Sequence, residues 1–163
     1  MRRLYLAVAA TLSLIPIGGP AEAGERQRAT VLMSENENGR KFQEEWGYAD
    51  AVITGDTIYL SGVVVGLREG DTDMEAAYER TYKHVGTILA RAGASWDDVV
   101  DITSYHTDIT TQAKIMSGVQ KRYVKAPFPA WTAIDVDRLI PERGITEIKF
   151  VAKRPASATP AKK

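Results

Sequence analysis

Helical periodicity is confined to two stretches of this chain, and that scarcity constrains the fold more than any other feature. Met74, Ala77, Tyr78, Thr81, Val85, Ile88, Leu89 and Ala92 recur at helical spacing, with Thr72 and Glu75 as a capping box and Gly93 where a terminating glycine belongs, which predicts a helix over roughly 73–92. Ile115, Met116, Val119 and Tyr123 share a side of a second helix, capped by Thr110 or Thr111 and ended by the Pro127 region. The rest of the patterned sequence reads as strand. Ala51 to Thr54 and Thr57 to Gly62 are β-rich runs joined by Gly55-Asp56, a pair suited to a two-residue type II′ turn. Val99 to Thr107 follows a short polar turn carrying Trp96 as an aromatic plug, and Ala130 to Val136 and Ile145 to Lys153 flank the Pro141-Glu142-Arg143-Gly144 turn. The order ββαβαββ predicts an α+β domain in which two helices cover one face of a mixed sheet. The other face must also be buried, and self-association is the cheapest way to do it.

The two ends are set apart from this domain. Met1-Arg2-Arg3 is a short basic head before the apolar run Leu4 to Ile17, followed by Gly18-Gly19-Pro20 and Ala21-Glu22-Ala23. This is the pattern of a secretory signal with an A-x-A cleavage site, too short for a convincing transmembrane span. The expectation is a signal peptide at 1–23, a polar leader at 24–40 with an edge strand near Val31-Leu32-Met33, the domain at 41–154, and a disordered tail at 155–163 rich in Ala, Pro, Ser and Lys. Localisation is then periplasmic or secreted, with no membrane contact after cleavage. Cleavage removes two of 21 basic and one of 21 acidic residues, leaving a chain of 140 with net charge near −1. Such a balance argues against a nucleic-acid partner, which needs a basic face. There is no cysteine, so stability must come from the core or from assembly. His84 and His106 are the only imidazoles, neither in a metal-ligand or triad spacing, so no metal site is expected. His84 reads as a decoration of a solvated helix side and His106 as packing at a strand end.

Several blocks carry a family likeness. Tyr48-Ala49-Asp50-Ala51-Val52, Ile58-Tyr59-Leu60-Ser61-Gly62, "ILARAGASWDDVVDITSYHTDI" from Ile88 to Ile109, "PFPAWTAIDV" from Pro127 to Val136, and "ITEIKFVA" from Ile145 to Ala152 together resemble the reactive intermediate deaminase family, also called RidA or YjgF-like. The resemblance implies a chorismate-mutase-like α+β fold, a homotrimer that covers the bare sheet face, and ligand clefts at the subunit boundaries. It also implies hydrolysis of 2-imino and enamine acids to 2-keto acids and ammonia without a cofactor. Carried over residue by residue, the family's tyrosine falls on Tyr48 and its last-strand glutamate on Glu147. Its arginine position falls on Trp131, the small polar or Cys position two places later is Ala133, and Val63 stands where a glutamine often follows the Ser-Gly pair.

The arginine position matters most. A guanidinium fork grips a substrate carboxylate through two charge-assisted hydrogen bonds, whereas an indole offers one N–H and an apolar face. Losing one partner of a desolvated charged pair costs about 2–5 kcal/mol, so deamination of an acidic substrate is expected to be weak or absent. Arg138 or Arg143, in the loop after the strand, is a candidate to replace the missing cation. The residues expected to carry function are therefore Glu147 as the group that activates a water, with Trp131, Tyr48 and Ala133 lining the ligand cleft. Each also has a structural reading: a strand glutamate in a salt bridge, an aromatic that fills space, a packed tyrosine. Two functions follow. One is hydrolysis of an imine or enamine bond in a small organic molecule; the other is a non-catalytic module that holds an aromatic metabolite. A third reading, ribonuclease or translation inhibitor, is opposed by the near-neutral charge, the lack of a basic stripe and the expected export.

Overall fold

A computed structural model describes residues 23–155. The expected signal peptide, its last residue Ala23 excepted, and nearly all of the expected tail lie outside the described residues. Within them, none of the helices is long and apolar enough to cross a membrane. The elements are α1 (Glu25–Arg28), β1 (Thr30–Leu32), α2 (Glu37–Trp46), β2 (Ala51–Thr54), β3 (Thr57–Leu60), β4 (Val63–Gly66), α3 (Met74–Arg91), a 3₁₀ turn (Trp96–Asp98), β5 (Val99–His106), α4 (Ile109–Tyr123), β6 (Ala130–Asp135) and β7 (Gly144–Lys153). The leader region thus holds the expected edge strand, and α2, which no sequence argument anticipated, runs across the expected boundary at residue 40 into the domain.

The strands form one mixed sheet in the order β1-β2-β3-β7-β5-β6. Gly55 at φ 58° makes the two-residue turn between β2 and β3, a conformation that costs a glycine little. The ten-residue β7 organises the rest. Along one edge its C-terminal half pairs with β3 and its N-terminal half with β4; along the other it pairs with β5. β6 joins β5 in parallel, after α4 has crossed over.

Both main helices begin one or more residues away from the expected caps. Asp73, not Thr72, caps α3 by accepting the Ala76 N–H at 3.0 Å. Asp108, not Thr110 or Thr111, caps α4 by accepting the Thr111 N–H, while both threonine hydroxyls donate to the same carboxylate. A carboxylate at the N-cap satisfies the orphan amides and also meets the positive end of the helix dipole, so it outcompetes a neighbouring hydroxyl. These donors, the Thr110 hydroxyl foremost, hold the Asp108 carboxyl below the usual carboxylate range.

Helices α3 and α4 lie on one face of the sheet. Tyr78, Tyr82, Val85 and Leu89 of α3 and Met116 and Val119 of α4 meet Ile102, Ile148 and Phe150 in a buried core. At about 1.5–3 kcal/mol per large apolar side chain removed from water, this layer dominates stability. Trp96 plugs it as expected, stacked on Tyr82 with ring centroids 5.3 Å apart. β7 alternates as its sequence predicts: Ile148, Phe150 and Ala152 are buried, while Lys149 and Lys153 are exposed and Glu147 is half-buried.

Candidate functional site

Glu147 sits at the middle of three strands. Val64 of β4 is its partner on one side and Tyr105 of β5 on the other. Its carboxylate rests on the backbone of Gly62, where a built Cβ would lie 1.9 Å from Oε1 and 2.7 Å from Cδ. Only glycine leaves room for that close approach. Glu147 forms no ion pair among the described residues, so its charge is free to act on whatever enters.

It faces a hollow of about 840 Å³ whose wall also includes Phe42, Trp46, Tyr48, Gly62 and Val63. Three of these are rings set by α2. Phe42 and Trp46, four residues apart and therefore on one side of the helix, stack with centroids 5.3 Å apart. Gly47, at φ 73°, ends the helix in the left-handed conformation and turns the chain so that Tyr48 meets Phe42 edge-on at 6.2 Å. The wall is anchored from behind by buried Gln43. Its Oε1 accepts the Ser34 N–H at 2.7 Å and its Nε2 donates to Asp50 at 2.6 Å. Asp50 also accepts from Arg91 at 3.0 Å, so the hollow's second carboxylate is already neutralised. Burial, and secondarily the charge of Asp50, raise the Tyr48 hydroxyl above its ordinary value. It is therefore a protonated donor at neutral pH.

Trp131 and Ala133 lie elsewhere. Trp131 is the register partner of Ile102 and Ala133 of Ser104, whereas Glu147 is the partner of Tyr105. Register partners share a sheet face and successive residues alternate. Trp131 and Ala133 consequently belong to the helix-bearing face and Glu147 to the other. The indole N–H donates to Ser104 Oγ at 2.9 Å, and the ring borders a small groove with Phe128 and Val124. Ser104 in turn meets His106 Nε2 at 2.9 Å, and His106 Nδ1 meets Thr146 at 3.2 Å. Trp131 is thus the outer end of a buried polar chain. Within the chain the structure brings Tyr48 and Glu147 to one hollow and keeps Trp131 and Ala133 apart from them.

Among the remaining candidates, His84 is exposed at the rim of the aromatic hollow. Arg138 borders a second hollow that also contains Glu147 and, on its other side, shares a separate cavity with Arg143 and Arg68; Arg143 borders only the latter. Sequence reasoning missed Phe42, Trp46 and the role of Gly62. The spacing of the two rings between Asn36, which caps α2, and Gly47 was the available signal. Among the described residues, no cluster of His, Cys, Asp and Glu has the grouping a metal ion requires.

Comparison with known proteins agrees with this architecture. The family model described as Endoribonuclease L-PSP matches residues 39–154. RutC family protein YjgH of Escherichia coli is 35% identical over 116 residues, covering 68% of this chain and 86% of that protein. A 2-iminobutanoate/2-iminopropanoate deaminase of Dermatophagoides farinae is 26% identical over 109 residues, covering 64% and 83% respectively. Among solved structures, a member of the YjgF/YER057c/UK114 family from Mycobacterium tuberculosis superimposes with a TM-score of 0.65 at 26% identity, covering 77% of this chain and 98% of that one.

Proposed function

The chain belongs to the Endoribonuclease L-PSP family, the RidA/YjgF-like proteins, and from that premise we propose that it binds a small organic molecule beside Glu147 and hydrolyses a carbon–nitrogen double bond in it. The observation that carries this reading is the unpaired Glu147 carboxylate, held against Gly62 in a hollow of ligand size. A water bound to Glu147 gives up a proton to the carboxylate as its oxygen attacks the imine carbon. The proton passes to nitrogen to give a carbinolamine; Glu147 then relays the proton of the new hydroxyl to the same nitrogen as the carbon–nitrogen bond breaks, and a carbonyl compound and ammonia leave. Tyr48, in the lining of the same hollow, supplies a hydrogen-bond donor. No cofactor enters this chemistry.

The wider reading keeps export through residues 1–23 and assembly as a homotrimer. A subunit boundary is the arrangement that could carry Trp131 and Ala133 of one copy toward Glu147 of another, since they occupy opposite faces of one sheet. On that reading, short-chain 2-imino acids are turned over weakly, because an indole stands in the family's arginine position. Ribonuclease activity is disfavoured: the formal net charge is zero and backbone neutralisation needs a basic surface.

A second reading is specifically favoured by the α2 rings: a non-catalytic module that holds an aromatic metabolite on the Phe42, Trp46 and Tyr48 wall. Ammonia release from freshly generated imines separates the two. The hydrolytic reading expects release that falls about 10²- to 10⁴-fold in Glu147→Gln. Equal rates in the parent and that variant would overturn it, and recovery of an unchanged bound aromatic compound would favour the module.

A further inference from the structure

Glu147 and Gly62 border two hollows. The second, about 340 Å³, is walled by Tyr105, Arg138 and Lys149. The carboxylate therefore stands between an aromatic compartment and a cationic one. Neither Arg138 nor Lys149 has an ion-pair partner among the described residues. Lys149 lies two residues from Glu147 on the same face of β7, about 7 Å along the strand. Asp50, the other acid of the aromatic compartment, is already matched by Arg91. Each compartment thus has an unmet need: one for a planar apolar group, the other for an anion.

Resting on the hydrolysis proposed above, we propose that the substrates are 2-imino acids with an aromatic side chain. The ring lies on the wall of Phe42, Trp46 and Tyr48, the carbon–nitrogen double bond lies over Glu147, and the carboxylate is held by Arg138 with Lys149 adding charge. A guanidinium from the loop after β6 takes the part that Trp131 cannot, since the Trp131 indole N–H is committed to Ser104 on the other face. An imino acid with a short side chain fills only the cationic compartment, and an aryl imine without a carboxylate fills only the aromatic one. Oxidation of aromatic amino acids at the Cα–N bond is the class of reaction that supplies such a compound.

The test compares three imines generated in place by amine-oxidising enzymes, from phenylalanine, alanine and phenylethylamine. Each is followed by ammonia release in competition with a semicarbazide trap. The expected kcat/KM is at least about tenfold higher for the phenylalanine-derived imine than for either other, the range that one added contact group can discriminate. Trp46→Ala should cut the preference over the alanine-derived imine about fivefold, the equivalent of about 1 kcal/mol. Arg138→Ala, a change at an exposed position, should lower turnover of the phenylalanine-derived imine by at least about tenfold more than that of the phenylethylamine-derived imine. Equal rates for all three, or an Arg138→Ala loss shared equally by the imine that lacks a carboxylate, would overturn the assignment. Calorimetry with the stable products keeps specificity separate from catalysis. Phenylpyruvate binding tighter than pyruvate, and weakened by Arg138→Ala, supports the two compartments even where no imine is hydrolysed; indistinguishable binding of the two rejects them.

Discussion

Two groups of aromatic rings in this protein have nearly the same internal spacing and opposite surroundings. Inside, Tyr82, Trp96, Tyr123 and Phe150 meet with centroids 5.3–6.0 Å apart. Outside, Phe42, Trp46 and Tyr48 meet at 5.3 and 6.2 Å. In the first group each hydroxyl has a partner: Tyr82 donates to Gln120 at 2.8 Å and Tyr123 to Glu79 at 2.5 Å. Burial pushes both phenols up, that of Tyr123 to about 12. In the second group Trp46 is 55% exposed and Tyr48 is 42% exposed. Ring contact alone therefore does not separate a core from a binding wall. What separates them is whether the surrounding surface has already been removed from water when the chain folds, or is left for a ligand to remove.

The sharpest break of this comparison is in stability. Phe150→Ala, at a fully buried ring, is expected to cost about 3–5 kcal/mol by denaturant unfolding, while Phe42→Ala stays within about 1 kcal/mol because its ring is half in water. Similar losses at both positions would mean that the outer rings are core after all. Next in size is the effect on the site. Gly62→Ala drives the Glu147 carboxylate off its seat and is expected to lower kcat/KM about 10²-fold, as a displacement of 1 Å can, with the thermal midpoint little changed. Activity that survives this change would show that the seat is incidental. Smaller again, Trp46→Ala is expected to weaken an aromatic ligand by about 1 kcal/mol, the worth of one stacked ring, measured by calorimetry with phenylpyruvate.

The inner group was legible in the sequence and the outer one was not, for reasons tied to particular residues. Helical spacing from Met74 to Ala92 and strict alternation along Glu147, Ile148, Lys149 and Phe150 point inward without ambiguity, and Trp96 was recognisable as a plug. Helix α2 is polar almost throughout, with Glu37, Arg40, Lys41, Glu44 and Glu45 around its two rings, so it carries no apolar stripe for periodicity to find. β4 escaped because Val63-Val64-Val65 is only three residues of apolar run before Gly66, too short to distinguish from a loop. Glu147 and Tyr48 were found through the family likeness. The face of Trp131 was not, because it is set by the parallel register of β6 on β5, which is a long-range pairing that neither segment encodes alone.

The smallest effect concerns the polar chain behind the inner rings, where His106 is fully buried between Ser104 and Thr146. Burial lowers its pKa from the ordinary 6.5, only partly offset by the Gln112 hydrogen bond and the charge of Asp135. The folded chain then resists protonation of this imidazole while the unfolded chain accepts it. Unfolded molecules bind more protons in the interval below 6.5, and the stability linked to this residue is present above that value and lost as pH falls toward the folded pKa. The urea midpoint is expected to decline as pH is lowered from 7.5 through about 6, and His106→Gln should flatten that slope while lowering the plateau. The outer rings hold no buried titratable group of this kind, so Phe42→Ala should leave the slope intact. A pH profile that is flat in the parent, or altered equally by both substitutions, would erase the distinction between an interior that is chemically closed and a wall that stays open.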